Sequence, residues 1–399
     1  MRVPGFARLY AGMLLGRVGG SMWLLIVVLF VLQRYHSPQL AGVAAFLAIL
    51  PGLLLAPVAG ALLDRYGRAP LVVADYLIAA LAAGSIAVLS ALHSLSPRVL
   101  LGIVTVASLT NPLSNAGARS LFPTLVPRPM WERANALDSS GHVIAMLLAA
   151  PLGGALVGLV GGEWALAAAG TVFLVAALVM VRLPEPVKAA PSSGSVLLNA
   201  WRGLQYVMRN PTLRGLAATL STLNLGSGVL TIALPVLVLE RLHSGPATVG
   251  LLWGAMGAGG LIAALVVGRF SNVGRERSMI MVAILVTCVA MAVLPFAGSV
   301  AVVALAAVLM GIATGPLDIA LFTVRQRRTD PAWFGRAFAV SMSVNAAGAP
   351  IGSGLAGPLV VWSLDGALWA AVIVTLVAAG LLWLLVPARD DGGAVAAVS

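Results

Sequence analysis

Twelve apolar runs, each long enough to cross a bilayer as a helix, account for most of this 399-residue chain. They lie at 9–32, 40–63, 70–92, 98–122, 136–160, 164–182, 214–239, 246–268, 278–297, 300–323, 335–362 and 366–386. A hydrocarbon core needs about 20 apolar residues per helix. In lipid the backbone must satisfy its own polar groups, so only helices or closed barrels qualify. The runs are rich in Gly and Pro and lack the alternating polarity of barrel strands. Only 9% of residues are charged, against about 25% in soluble domains. The expected fold class is therefore an all-α membrane protein. The first run has no small-residue cleavage site and reads as the first helix, not a removed signal.

The net charge of +11 would point to nucleic acid in a soluble chain, but its placement gives another meaning. With the N-terminus cytoplasmic, twenty of the twenty-four Lys and Arg residues fall in cytoplasmic segments. The outside loops hold only Arg34, Arg98 and Arg241, and Arg17 lies within the first span. This bias puts both termini in the cytoplasm. The lone cysteine, Cys288, excludes an intramolecular disulfide.

A Pro-, Ser- and Gly-rich stretch, Pro184 to Ser195, reads as a linker near the middle of the chain. It leads into Val196–Asn210, where Leu197, Trp201, Leu204 and Met208 share a helical face and Arg202 and Arg209 lie off it. Such a helix belongs on the membrane surface. The flanking halves echo each other. Thr110-Asn-Pro-Leu-Ser114 returns as Thr314-Gly-Pro-Leu-Asp318, Ala150-Pro151 as Ala349-Pro350, and Arg133-Ala134 as Arg336-Ala337, at offsets of 204, 199 and 203. The expected organisation is two pseudo-symmetric six-helix halves, 1–183 and 214–399, joined by a cytoplasmic linker, 184–213.

Between the second and third runs stands the charged hairpin Gly60-Ala-Leu-Leu-Asp64-Arg65-Tyr-Gly67-Arg68. A bilayer cannot cheaply hold Asp64, Arg65 and Arg68 together, so this is a short loop at one membrane face. Its pattern resembles the signature loop of major facilitator superfamily transporters. The likeness leans toward bacterial exporters of the enterobactin-exporter and macrolide-efflux type, on Arg119 to Pro127, Glu132-Arg-Ala-Asn-Ala-Leu137 and Gly335-Arg-Ala-Phe338. Ala150-Pro151-Leu-Gly153-Gly154 resembles the antiporter motif of facilitator exporters, with Ala before Pro where Gly is usual. The resemblance implies that Asp64 latches against the start of the eleventh span near Gly335. There a carboxylate would meet free N–H groups and the positive helix end.

Ionisable residues inside spans are few and therefore informative. Arg17 is the deepest charge; it either recognises an anionic or carbonyl-rich cargo or forms an ion pair, with Asp75 as the expected partner. Asp318 is the leading proton carrier, since a carboxylate shielded from water can take up a proton in one conformation and release it in another. By the 204 offset its repeat partner is the neutral Ser114. Asp138 and His142, a turn apart, are the alternative. Asn111, Asn115, Asn224 and Asn345 are candidate cavity-lining amides, and Trp23 a candidate apolar wall.

An embedded enzyme is disfavoured, because the four histidines are scattered and no metal or nucleophile constellation appears. A P-loop is missing too. The expectation is a bacterial inner-membrane, multi-pass secondary transporter without metal or cofactor, a monomer in the lipid bilayer. It would export a small hydrophobic or amphipathic molecule against protons. An uptake permease or uniporter of the same fold is the alternative.

Overall fold

A computed structural model describes residues 5–127, 130–183, 196–270, 274–330 and 333–387. The linker 184–195 and the side chains of Glu132, Arg133, Gly335 and Arg336 lie outside the described residues. Among the described residues the fold is all-α, and twelve helices are long and apolar enough to cross a membrane. The first six are α1 (Phe6–Tyr35), α2 (Pro38–Tyr66), α3 (Arg68–Ala91), α4 (Pro97–Leu125), α5 (Trp131–Val160) and α6 (Gly162–Met180). The short α7 (Val196–Arg209) precedes α8 (Pro211–Val236), which runs on through a π-helical turn at Leu237–Arg241. The rest are α9 (Pro246–Val267), α10 (Glu276–Val293), α11 (Val300–Arg327), α12 (Phe334–Trp362) and α13 (Leu364–Leu385).

Local chemistry sets the helix starts. Pro38, Pro211 and Pro246 stand in the first turn of their helices, where the missing N–H costs nothing. Ser37 caps α2 by accepting from the Leu40 N–H at 3.2 Å, and Asn210 caps α8 through the Leu213 N–H at 3.1 Å. The α2–α3 hairpin turns on Gly67 alone, at φ 99° and ψ 151°, a region essentially closed to side chains.

Two groups of six spanning helices result. In the first, α3 packs on α4 and α6, and α1 on α5 and α6; in the second, α8 packs on α12 and α13, and α11 on α9 and α10. The groups join chiefly through α2–α12 and α5–α9. Both joints lie toward one end. There Gly42 meets the backbone of Ser353 and Gly357, and Gly154 meets Pro246 and Gly250. Small residues allow this backbone approach, as in other helix pairs packed in lipid. The opposite end carries the basic loop residues, and there α4 and α11 share no extensive packing.

The amphipathic α7 sits at this basic end against α12, with lesser contacts to α8 and α2. Tyr206 stacks on Trp333 with centroids 5.2 Å apart, and its hydroxyl accepts from the Asp330 N–H at 3.0 Å. Asn210 donates to the Arg328 carbonyl at 3.0 Å. The side buried against protein is Gly203 and Val207, leaving Trp201 and Met208 exposed beside Arg202 and Arg209.

Candidate functional site

Each of α4 and α11 has two exposed faces, and their contrast locates the space between the groups. On α4, Val106 and Asn115 are both exposed yet nine residues apart, which at about 100° per residue puts them on opposite sides. The Val106 side is apolar. The other carries Asn111, Asn115 and Arg119, all exposed and one turn apart, with Asn115 Nδ2 donating to Asn111 Oδ1 at 2.6 Å. Polar groups at this depth avoid lipid. Arg119 also lies within electrostatic reach of His142 on α5, so this stripe turns inward.

The same construction recurs on α11, with Leu305 exposed on one side and Thr314, Asp318 and Phe322 on the other. Burial along the two helices matches at an offset of 203: Val104 with Ala307, Ala107 with Met310, Ser114 with Leu317, Ala118 with Leu321 and Leu121 with Val324. The sequence identities align at 204. That one-residue difference rotates the comparison by about 100°. The structural counterpart of Asp318 is therefore Asn115, not Ser114. Two inward stripes result: Asn111, Asn115 and Arg119 on one wall, and Thr314, Asp318 and Phe322 on the other.

In the first group Arg17 does not pair with Asp75, because α1 packs on α5 and α6. Its partner is Asp138 on α5: Arg17 Nη2 lies 2.6 Å from Asp138 Oδ1, and Nη1 donates to the Asp138 carbonyl at 3.0 Å. His142 sits a turn beyond, within reach of Arg17, Arg119 and Asp138. Asp75 is only 3% exposed and faces the hydroxyls of Ser114 and Thr110 on α4, which themselves donate to the Asn111 and Ala107 carbonyls. The repeated Thr110 and Ser114 thus serve the α3–α4 joint.

In the second group Asp318 is deep in the bundle, yet its side chain is open to the central space. Its charged neighbour is Arg325, two turns on along the same helix. Arg325 was readable only as a loop residue, but it is 1% exposed. Its Nη1 lies 2.8 Å from Met342 Sδ and its guanidinium 5.9 Å from the Phe338 ring. With the Asn345 amide turned to suit both neighbours, that side chain accepts from Arg325 Nη2 and donates to the Ser341 carbonyl at 3.0 Å. Asn224 on α8 donates to the Asn345 carbonyl at 2.9 Å. These two amides join helices, whereas Asn111 and Asn115 are open. Trp23, on α1, is half-buried and packs against the core. The aromatic surface on the inner wall is instead Phe322, stacked on Phe338 at 5.8 Å, with Met342 exposed beside it.

At the basic end Asp64 has Arg68 as its ionic neighbour among the described residues, at 3.7 Å. Arg68 also donates to the Ser120 carbonyl at 2.9 Å, fastening the hairpin to α4. Arg65 lies over the Tyr66 ring, and Gly60 faces open space. The corresponding α10–α11 junction is held by Glu276 and Arg327 at 2.5 Å. In the Ala150–Gly154 segment, Pro151 packs against Gly254 and Gly154 against Gly250, while Gly153 faces Ile26 within its own group. Among the described residues no group of three His, Cys, Asp or Glu could hold a metal ion.

Comparison with known proteins agrees with this architecture. The uncharacterized MFS-type transporter y4rN of Sinorhizobium fredii is 36% identical over 390 residues, covering 97% of this chain and 96% of the relative. The multidrug efflux pump Tap of Mycobacterium tuberculosis is 27% identical over 403 residues, covering 98% and 95%. Among solved structures, the nucleoside transporter NupG superposes with a TM-score of 0.76 at 12% identity, covering 96% of this chain and 99% of that one. The profile of the transmembrane secretion effectors matches residues 1–395. The chain belongs to that family and is a secondary transporter of the major facilitator superfamily, handling small molecules across a membrane.

Proposed function

We propose that this protein exports a small hydrophobic or amphipathic molecule across the bacterial inner membrane in exchange for protons, as a monomer. The halves 1–183 and 214–399, joined through 184–213, rock around the space between α4 and α11. With the basic loops cytoplasmic, the present arrangement is closed outward by α2–α12 and α5–α9 and open inward. Export is supported by likeness to Tap, a multidrug efflux pump, and by the Pro151 segment lying in the outward seal.

Asp318 carries the coupling part of this reading: its carboxylate lies open to the central space and has a cation, Arg325, two turns along its own helix. Asp75 is enclosed by hydroxyls and Asp138 is held by Arg17, so neither is as free to exchange a proton. In the inward-open state Asp318 is ionised beside Arg325 and the space accepts cargo. Once the space opens outward, a proton replaces the cargo and Asp318 is neutralised. Asp64 latches the inward side shut in that second state.

The test uses purified protein in proteoliposomes with an imposed pH gradient, offered dyes, macrolides and siderophore-like compounds. Wild type should move one class of compound with opposite proton flux. Asp318→Asn should abolish gradient-driven transport while counterflow exchange persists. Driven transport surviving in that variant would remove Asp318 as the carrier, and cargo movement without proton flux would make the protein a uniporter.

A further inference from the structure

Resting on the central space as the cargo site, we infer that the preferred cargo is an anionic amphiphile, its acidic group bound at Arg119 and its apolar body against Phe322, Phe338 and Met342. Two cations are already engaged. Arg17 is neutralised by Asp138 at 2.6 Å, and Arg325 is buried against Met342 and Asn345 with Asp318 nearby. Arg119 differs from both: it is exposed on the inward stripe, and among the described residues it has no ion-pair or hydrogen-bond partner. An exposed guanidinium facing the inward-open space is free to take a counter-charge from an entering cargo.

The surroundings of Arg119 add direction. Asn115 and Asn111 continue the stripe from it toward the closed end, one turn apart, offering amide groups to further oxygens of the same cargo. By the 203 register, the position equivalent to Arg119 on the opposite wall is Phe322, which stacks on Phe338 beside the exposed Met342. Aromatic and thioether side chains suit apolar bodies of varied shape. One wall is thus cationic and amide-lined, the other aromatic. Asp318 on the aromatic wall repels an anion seated too far across, which orients the cargo with its acid toward α4. Arginine suits carboxylate, sulfonate or phenolate groups because its fork donates several hydrogen bonds at once.

Two dyes on one scaffold test this: 1-anilinonaphthalene-8-sulfonate, which is anionic, and N-phenyl-1-naphthylamine, which is neutral. Saturable binding to the full chain in lipid nanodiscs is titrated against protein-free discs, without any gradient. Failure of proton exchange or of export therefore leaves this result readable. Wild type should bind the anionic dye at least tenfold more tightly. Arg119→Gln should erase that preference while leaving the neutral dye within twofold, Arg119→Lys should keep most of it, and Phe322→Ala should weaken both dyes. Equal wild-type binding of the two dyes, or an equal loss of both in Arg119→Gln, would overturn the inference. Should Arg119→Gln fail to fold, the wild-type preference and Arg119→Lys still decide it. Binding should be the same in phosphatidylcholine and phosphatidylglycerol discs. Loss of dye binding in the anionic lipid would assign Arg119 to a headgroup and overturn the cargo reading.

Discussion

Gly154 lies where α5 meets α9, and adding one methyl group there should shift the balance between the two arrangements of the transporter. A Cβ at this position would stand 2.7 Å from the Pro246 carbonyl oxygen and 2.8 Å from Gly250 Cα. Ordinary contact begins near 3.4 Å, so the two backbones must separate by roughly 0.7 Å, the difference between 3.4 and 2.7. Both partners are backbone, and neither can swing aside. Overpacking of this kind costs about 1–3 kcal/mol. If the halves part at this end in the alternate state, that cost falls on the present state alone. The ratio of the two populations then changes by about 5- to 150-fold. Gly158, one turn on along the same ridge, provides the internal control, since its added Cβ would lie at an ordinary 3.4 Å from Ala247 N. The assay places spin labels at Leu159 and Gly245 in a Cys288→Ser background and reads the two distances. Gly154→Ala should enrich the longer one, with Gly158→Ala near wild type. Equal distributions in both variants would refute the idea that this contact holds the end closed.

Three further outcomes rest on other contacts of the fold. Breaking the Arg17–Asp138 pair, whose side chains are 15% and 19% exposed, should cost about 3–5 kcal/mol in either Arg17→Gln or Asp138→Asn. The double variant should lose less than the sum, as read from thermal unfolding in detergent. Gly67→Ala forces a side chain into φ 99° and should destabilise by about 1–3 kcal/mol, seen as a lowered unfolding midpoint. Asp64→Asn should leave membrane expression intact and depress transport severalfold; wild-type turnover would remove the latch.

Composition made the spans legible, because lipid admits few solutions for a backbone and each solution needs a long apolar run. The helices overrun those runs, as α1 does by starting at Phe6 and ending at Tyr35, since helix geometry does not stop at the bilayer edge. The site was less legible. Arg17 and Asp75 are both deep charges, but α1 packs on α5, and that choice belongs to tertiary packing. Between α4 and α11 residue identity runs at an offset of 204, while burial follows 203. A one-residue shift of the matching residues turns them about 100° around the helix, so identity in sequence and the buried face need not coincide. Arg325 lies just past the apolar run 300–323, where a basic residue reads as cytoplasmic, yet it is a buried neighbour of Asp318. Its seven-residue spacing from Asp318 was the available signal. Phe322 and Phe338 gave none, since only their contact across α11 and α12 marks them.

The central claim is that one space opens alternately to the two membrane faces. The direct measurement is a paired distance experiment on the reconstituted protein, with one label pair at Leu159 and Gly245 and a second at the basic end, at Arg182 and Gln326. Imposing a pH gradient in the presence of transported cargo should lengthen the first distance and shorten the second in the same molecules. Both distances moving together, or one moving while the other stays fixed, would contradict it.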